Sequence, residues 1–287
     1  MTACAARCAC SSRVWYERLV SSPIYDAATV ILLKRRPEGF EVFLLRRRRG
    51  ASFMAQAFVF PGGGTEPGEE ARATAARELF EEAGVLLAKD AGQPETLEML
   101  GLDALRKLVL GGANADETLR AAGLTWALDT LLPWSHWITP SIEPKRFSAK
   151  FFVAELPPGM VPSFDNNETV DQAWVTPTDA IARAGELNLP PPQIRTMWEL
   201  AQLGSIEEVF AAARTRAGEL HPIMPRHAQG QTGITLLLPW DPDYDTLGQG
   251  EATSLSYQPS WAIGPSRFIR EGSAWKHIAA PGSTSAG

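Results

Sequence analysis

Three glutamates at helical spacing, Glu78, Glu81 and Glu82, are the residues of this sequence best suited to chemistry. They lie in residues 70–83, which hold no Gly or Pro and are rich in Ala and Glu, so a helix ended by Gly84 is predicted. Positions i, i+3 and i+4 share one helix face, where three carboxylates repel one another unless a cation lies among them. Because hard divalent cations take oxygen ligands, the pattern predicts a site for Mg²⁺ or Mn²⁺.

A run of charges is more often a solvated helix face, but here about nine positions recur at fixed intervals. Residues 63–85 resemble the Nudix box, Gly-x5-Glu-x7-Arg-Glu-aliphatic-x-Glu-Glu-x-Gly-aliphatic, and every defined position is filled. The resemblance implies a metal-dependent hydrolase that cleaves a pyrophosphate bond in a nucleoside diphosphate joined to another group. It also implies the Nudix fold, an α/β/α sandwich with a mixed sheet.

Hydrolysis of a phosphoanhydride requires neutralised phosphate charge, an activated water and a positioned substrate. We expect all three glutamates to be catalytic and metal-binding, with Glu78 as base or water-orienting group and Glu81 and Glu82 as ligands. By resemblance, a main-chain carbonyl of the Gly62–Gly63 loop completes the metal shell, so Gly63 is a further metal candidate.

Other box residues are expected to be structural. Glu69 and Arg77 are predicted to form an ion pair that fixes the loop against the helix, and Gly84 ends the helix. Outside the box, relatives often carry a further carboxylate on a loop across the site, and Glu168 in residues 165–168 is the catalytic candidate here. A plain polar turn is the open alternative for that loop.

Basic residues offer contacts to substrate phosphates. Arginines occupy positions 46–49, at the end of a predicted strand, where neighbours point to opposite faces and at most half can share one site. Arg46 and Arg48 are therefore candidates for substrate binding, and Arg146, beside Lys145, is a third. A structural role for each remains open.

Beyond the box, the chain is similar to the coenzyme A diphosphatase-like branch related to the peroxisomal mammalian Nudix enzyme. The similarity is carried by FLLRRRRG at 43–50, FPGG at 60–63, HWITP at 136–140 and FFVA at 151–154. It implies cleavage of coenzyme A or acyl-coenzyme A to 3′,5′-ADP and 4′-phosphopantetheine. The chain departs from the branch at Gln56, where its signature has glycine, and the peroxisomal ending is missing. Hydrolysis of ADP-ribose, NADH or a dinucleoside polyphosphate is the alternative, and a non-catalytic nucleotide-sensing module is a third hypothesis.

The elements expected around the box alternate between strands and helices, which favours an α/β fold. A hairpin is predicted over residues 27–45, a strand at 58–60 before a Gly-rich loop, and strands at 136–140, 147–156 and 172–176. Helices are predicted at 97–110 and 115–131, from a cap at Thr178 or Asp179 to Ala184, from 190 to 203, and from Ser205 to Ala217.

These elements suggest a Nudix domain at 23–217 with a helical insertion at about 89–132. Residues 1–22 are predicted to be a flexible leader. Residues 218–287 form an extension packed on the core, with short strands at 233–238 and 267–270 and a disordered final ten residues.

Bulk properties narrow the partners. A formal charge of −6 argues against broad affinity for nucleic acid, and no apolar run reaches the ~18 residues of a membrane span. A small nucleotide is the partner that the Nudix resemblance implies. The resemblance also implies a possible homodimer. Cys4, Cys8 and Cys10 are interpreted as part of a loose leader, since a zinc clip would lack its fourth ligand. A cytoplasmic location is expected, although the leader faintly resembles an organelle presequence.

Overall fold

The computed structural model describes residues 23–50, 54–90, 101–230, 233–250 and 255–281. The predicted leader with its three cysteines, residues 91–100 of the insertion and the last six residues lie outside the described residues. In the part of the chain that is described, no helix is long and apolar enough to cross a membrane.

Strands make up most of the framework. They are β1 (Ile24–Arg35), β2 (Phe40–Arg47), β3 (Phe58–Val59), β4 (Gly62–Gly64), β5 (Ala88–Asp90), β6 (Leu124–Trp126), β7 (Leu132–Ile138), β8 (Arg146–Glu155), β9 (Thr169–Val175), β10 (Pro222–Ile223), β11 (Arg226–Gly230), β12 (Gly233–Leu237), β13 (Arg267–Glu271) and β14 (Ala274–Ile278). The helices are α1 (Ala71–Ala83), α2 (Leu102–Leu110), α3 (Ala115–Ala121), α4 (Pro177–Ala182), α5 (Pro191–Leu200) and α6 (Ile206–Arg216), and Leu128–Thr130 is a 3₁₀ turn.

The central sheet has eight strands and mixed pairing. Its order is β10-β7-β8-β1-β2-β3, with β4 paired to β1 and β9 paired to β2. β1 runs parallel to β8 and antiparallel to β2, to which it is joined by the predicted hairpin turn. Gly39 in that turn has φ 74°, a left-handed conformation that favours glycine.

Successive residues of the central strands point to opposite faces, and each face carries helices. Val30 and Leu32 pack with Leu79 of α1, whereas Ile31 and Leu33 belong to the core that contains α5 and α6. The predicted α/β/α sandwich with a mixed sheet is therefore confirmed.

Two predictions around the box and the insertion were wrong. Residues 62–64 form strand β4, not a loop, because they pair antiparallel with residues 27–29 of β1. The helix predicted to reach Leu131 ends at Ala121, and Gly123, at φ 73°, leads into β6, which pairs with β5. The other insertion helix, predicted over 97–110, is present as α2 from Leu102 to Leu110, and the predicted start at 97 lies outside the described residues.

Bounds also differ after β9. The cap of α4 is Thr176, whose hydroxyl accepts a hydrogen bond from the Asp179 N–H at 3.1 Å, and the helix ends at Ala182. Helix α5 ends at Leu200, three residues before the predicted end. Ser205 caps α6 as predicted, by accepting from the Glu208 N–H at 3.2 Å.

The C-terminal segment contains more regular structure than the sequence suggested. Strands β11 to β14 form a four-stranded antiparallel sheet, and β11 and β14 were both missed. Ile278 lies at the end of β14, so disorder of the final ten residues is wrong for that part of the tail. Leu236, Trp240 and Phe268 join the same hydrophobic core as α5 and α6.

Candidate active site

Helix α1 carries the box and is fixed against the sheet by small and aliphatic side chains. Ala75, Ala76 and Leu79 are fully buried against β1 and β2. The helix ends as the sequence predicted, with Gly84 at φ 66° and its N–H donating to the Phe80 carbonyl at 2.9 Å. Because α1 is anchored along its length, the positions of its glutamates are set by the core.

Arg77 is the hub of the box. Its Nε and Nη2 donate to the two carboxylate oxygens of Glu69 at 2.9 and 3.0 Å, the predicted ion pair. Nη1 donates to Glu78 at 2.9 Å and to Glu81 at 3.3 Å, and Nη2 also donates to the Gly64 carbonyl at 2.9 Å. One buried guanidinium therefore holds β4 and three carboxylates in a fixed relation.

The glycines of β4 let the box carboxylates approach the main chain. The Gly62 N–H donates to Glu82 Oε2 at 2.8 Å. A Cβ on Gly63 would lie 2.5 Å from the carboxylate of Glu78, closer than any side chain permits. Glycine is therefore required at positions 62 and 63, because two carboxylates of helix α1 contact the main chain of β4 there.

Burial and mutual repulsion shift the protonation of these glutamates. Burial raises the pKa of Glu78 to about 7; Arg77 opposes this shift, and the charges of Glu81 and Glu168 add to it. Burial raises the pKa of Glu82 to about 8, with a further rise from Glu78, while the Gly62 N–H and Arg47 oppose it. Burial also raises the pKa of Glu81. Positive charge beside the box thus falls short of what three ionised carboxylates need.

Glu168 lies across the box, as the sequence suggested. It lines a cavity of about 770 Å³ together with Arg47 and Gly62–Gly64. Its loop is held by two main-chain bonds: the Arg48 N–H donates to the Glu168 carbonyl at 2.9 Å, and the Glu168 N–H donates to Asp165 Oδ2 at 3.1 Å. The loop is thus a turn that also presents a carboxylate to the site.

The three arginines predicted to bind substrate, Arg46, Arg48 and Arg146, are not among the residues that line this cavity. Arg46 Nη2 donates to Gln56 Oε1 at 3.0 Å, and Arg48 Nη2 donates to the Asn166 carbonyl at 3.2 Å. Arg146 is 2% exposed and donates to the Thr139 carbonyl at 3.0 Å, so it serves the fold. The cavity is lined instead by their neighbours Arg47 and Lys145.

Arg47 lines the cavity in place of the predicted Arg46 for a structural reason. The register between β2 and β9 shifts between these two residues. Such an irregularity interrupts the regular alternation of side chains between the two faces of the sheet. Gln56, at the position where the related branch has glycine, has φ 64° and donates from Nε2 to the Arg47 carbonyl at 3.4 Å. A left-handed residue beside the arginine explains why glycine suits that position.

Arg106 was missed entirely, since nothing in its sequence context distinguishes it. From α2 its Nε and Nη2 donate to the Glu81 carbonyl at 3.0 and 2.8 Å. Nη2 also donates to the Ser163 carbonyl at 3.0 Å. The insertion therefore places a cation at the C-terminal end of the box helix, where the helix dipole favours it.

The box offers the oxygen donors that a hard divalent cation prefers, in a setting short of positive charge. In the side-chain arrangement of the structure, however, Arg77 occupies Glu78 and Glu81. Within the described ranges, no group of three or more His, Cys, Asp or Glu is arranged to hold a metal ion. The residues fit a cation by chemistry, provided that these two side chains turn away from Arg77.

Comparisons with known proteins also find Nudix proteins. A family model described as the NUDT19 Nudix domain matches residues 65–203. The chain is 30% identical over 231 residues to "Putative nudix hydrolase 7" of Caenorhabditis elegans, covering 77% of this chain and 75% of that protein. It is 33% identical over 202 residues to "Acyl-coenzyme A diphosphatase NUDT19" of Homo sapiens, covering 63% of this chain and 52% of that protein. The crystal structure of a Nudix hydrolase from Alicyclobacillus acidocaldarius superposes with a TM-score of 0.58 at 24% identity, over 67% of this chain and 97% of that one, a likeness of fold.

Proposed function

This chain belongs to the Nudix hydrolase family and is a pyrophosphohydrolase similar to the coenzyme A diphosphatase-like branch, and from that premise we propose its substrate and metal. The proposed reaction is hydrolysis of the pyrophosphate bond of coenzyme A or an acyl-coenzyme A, dependent on Mg²⁺ or Mn²⁺. Its products are 3′,5′-ADP and 4′-phosphopantetheine or the acylated form of the latter.

One observation carries the metal dependence. Glu82 is buried and Glu78 is partly buried, both against the glycine strand, and burial with mutual repulsion raises their pKa values to about 8 and about 7. Such a pair favours a cation that would restore both ionised forms. When bound, a divalent ion would neutralise phosphate charge and polarise water. Glu78, Glu81 and Glu82 would hold it, with the Gly63 carbonyl as a further donor.

The protein's own groups supply the remaining chemistry. Water oxygen forms a bond to phosphorus, the bridging P–O bond breaks, and the leaving phosphate keeps the electron pair. A carboxylate takes the proton of the water, and Glu78, which a bound cation would keep ionised, is the proposed acceptor. Arg77 fixes Glu69 and the Gly64 carbonyl beside the site, and Glu168 and Arg47 line the cavity where the substrate would lie.

The substrate class is supported by two features. Relatives at 27% and 33% identity are named acyl-coenzyme A diphosphatases. The cavity of about 770 Å³ lies toward the upper end of ordinary ligand sites, which suits a large nucleotide. Lys145 and Arg47 on its wall would face the phosphates.

A substrate panel with metal titration tests the proposal. Coenzyme A, an acyl-coenzyme A, ADP-ribose, NADH and a dinucleoside polyphosphate are incubated with Mg²⁺, with Mn²⁺ or with a chelator, and products are identified by mass. Glu82→Gln should lower kcat at least about 100-fold, since it removes a charge needed in the reaction. Glu207→Gln, at an exposed glutamate on α6, is the matched control and should retain activity.

Each part of the proposal can fail separately. Equal activity of Glu82→Gln, or activity that persists in chelator, would contradict the metal role. Cleavage of ADP-ribose or NADH without cleavage of coenzyme A would contradict the substrate alone. Tight nucleotide binding with no product after long incubation with metal would indicate a sensing module.

A further inference from the structure

The cavity beside the box continues to the C-terminal sheet. Gly62–Gly64 and Glu168 line one part of it, and Leu236 of β12 and Trp275 of β14 line another. The matched family model ends at residue 203, so this part of the wall lies beyond the matched region. Strands β11–β14 therefore contribute directly to the space in which a substrate would lie.

The C-terminal sheet contributes two apolar side chains, Leu236 and Trp275, and two polar ones, Arg270 and Ser273, to the cavity lining. Leu236 and Trp275 share it with Phe151, Trp137 and the three prolines at residues 190–192. Leu236 and Trp137 are nearly fully buried, and Trp275 is partly buried against the same core. These apolar side chains stabilise a ligand by removing apolar surface from water, while Arg270 is the cation of this sheet that lines the cavity.

Trp275 contacts its neighbour in the sheet, and its strand β14 packs on α5. The Arg270 guanidinium carbon lies 5.4 Å from the centre of the Trp275 indole, and the two residues are register partners. Two positions further along β14, His277 stacks on Phe268 at 4.4 Å and meets the edge of Trp198 of α5 at 6.1 Å. The wall is preorganised, so binding to it costs little ordering of the protein.

We propose that the β11–β14 sheet is part of the substrate site, and that Trp275 and Leu236 bind an extended apolar arm attached to the substrate's pyrophosphate. This inference rests on the proposed pyrophosphate hydrolysis at the box. Trp275 is a specificity-determining residue that acts on the affinity for the arm, while the box acts on the bond. An indole can also stack on a nucleotide base, so the test must distinguish binding of the apolar arm from binding of the base.

Steady-state kinetics with a matched substrate pair test the assignment. Coenzyme A and hexanoyl-coenzyme A differ only in an apolar chain. Trp275→Ala should lower kcat/KM for hexanoyl-coenzyme A by roughly tenfold more than for coenzyme A, mainly through KM. Equal losses for the two substrates would assign the wall to the nucleotide and overturn the inference.

Two further variants keep the test decisive if Trp275→Ala folds poorly. Ser273 lies on the exposed turn between β13 and β14 and also lines the cavity, so Ser273→Trp should narrow it without touching the core. This variant should again penalise hexanoyl-coenzyme A selectively. Trp261→Ala is the matched control, because Trp261 belongs to the same C-terminal extension, packs on Arg216 of α6 and is not among the residues that line the cavity. It should leave the ratio of the two kcat/KM values unchanged, and a change equal to that of Trp275→Ala would contradict the assignment.

A binding measurement without turnover separates this inference from the proposed function. Hexyl diphosphate and methyl diphosphate carry the reacting group with and without an apolar arm, and no nucleotide. Calorimetry on the wild-type protein should show at least fivefold tighter binding of hexyl diphosphate, and Trp275→Ala should abolish the difference. Retained preference without hydrolysis of any coenzyme A would fail the proposed function alone. Equal wild-type affinity for the two would overturn the inference.

Discussion

In the folded protein, the environment of Glu82 disfavours ionisation of its carboxyl group. It is 6% exposed, and burial raises its pKa to about 8, whereas in the unfolded chain it ionises near its ordinary value of 4.5. Between these two values the folded protein holds a proton that the unfolded chain has released. The free energy of unfolding therefore falls as the pH rises from about 5 to about 8, by at most about 1.4 kcal/mol per pH unit for this group.

Glu82→Gln should remove this dependence in the metal-free protein. The amide is neutral at every pH and keeps an oxygen that accepts from the Gly62 N–H. We expect the variant to gain stability over the wild type as the pH rises from 5 to 8, by about 1–3 kcal/mol at pH 8. Urea denaturation in the presence of a chelator at pH 5, 6.5 and 8 measures the difference, and parallel curves would contradict it. Added Mg²⁺ at pH 8 should stabilise the wild type and leave the variant unchanged.

We expect that lysine cannot replace Arg77 without loss of stability and activity. Its planar guanidinium bonds Glu69, Glu78 and the Gly64 carbonyl at once, while a lysine ammonium cannot present the same fork. Arg77→Lys should lower the free energy of unfolding by about 2–4 kcal/mol and reduce kcat, because partly buried carboxylates lose hydrogen bonds to a buried cation. Chemical denaturation and kinetics on the same preparation measure both. Arg183→Lys, in the exposed pair with Glu186, is the control and should leave stability nearly unchanged; equal losses in the two variants would contradict the argument.

Single residues also show the limits of the sequence. The box could be interpreted residue by residue because its spacing is local to one helix, whereas the choice between Arg46 and Arg47 depends on a register shift against β9. Likewise, nothing in the neighbouring pair at 145–146 reveals that Arg146 is buried beneath Thr139 while Lys145 lines the cavity. Partners distant in sequence decide both cases.

Among the elements, those with a strong local pattern were predicted well. Helix α1 ends where Gly84 adopts a left-handed conformation, and the β1–β2 hairpin turns at Gly39, so both follow from a few adjacent residues. Strands β11 and β14 read RHAQG and AWKHI, polar sequences with little β-branched content. They are strands because β12 and β13 pair with them, and pairing of this kind leaves no trace in a single segment.

His277 gives the junction of β14 with α5 a pH dependence. Burial lowers its pKa to about 3, with a further lowering from Arg195. Above pH 6.5 the imidazole is neutral in both states, and between 6.5 and 3 only the unfolded chain takes up the proton. The free energy of unfolding should therefore fall as the pH drops below about 6.5, by at most about 1.4 kcal/mol per pH unit.

His277→Phe isolates this contribution because it keeps an aromatic ring between Phe268 and Trp198. We expect its melting temperature to drop less than that of the wild type between pH 7 and pH 5. Thermal denaturation followed by circular dichroism at the two pH values measures this. An equal drop in the two proteins would show that the junction does not sense pH.

At the scale of the whole molecule, one buried charge cluster joins the sandwich to the C-terminal segment. Glu199 accepts from Arg195 at 2.7 Å, from Arg216 at 2.6 Å and from the Trp134 indole at 3.0 Å. Arg195 also donates to the main-chain carbonyls of Ile263 and Pro265, both at 2.9 Å. A buried guanidinium thus depends on the segment after residue 217 for two of its acceptors.

A chain truncated after residue 217 tests whether 23–217 is a domain that folds alone, which stays a prediction. Truncation would expose the core partners of Leu236, Trp240 and Phe268, each side chain accounting for about 1.5–3 kcal/mol of burial, and would leave Arg195 short of acceptors. The total approaches the ~5–15 kcal/mol by which a whole protein is stable. We therefore expect the truncated chain to lose its near-ultraviolet circular dichroism and cooperative melting. A truncated chain that melts cooperatively near the full-length temperature would show instead that the C-terminal sheet serves the cavity and not the fold.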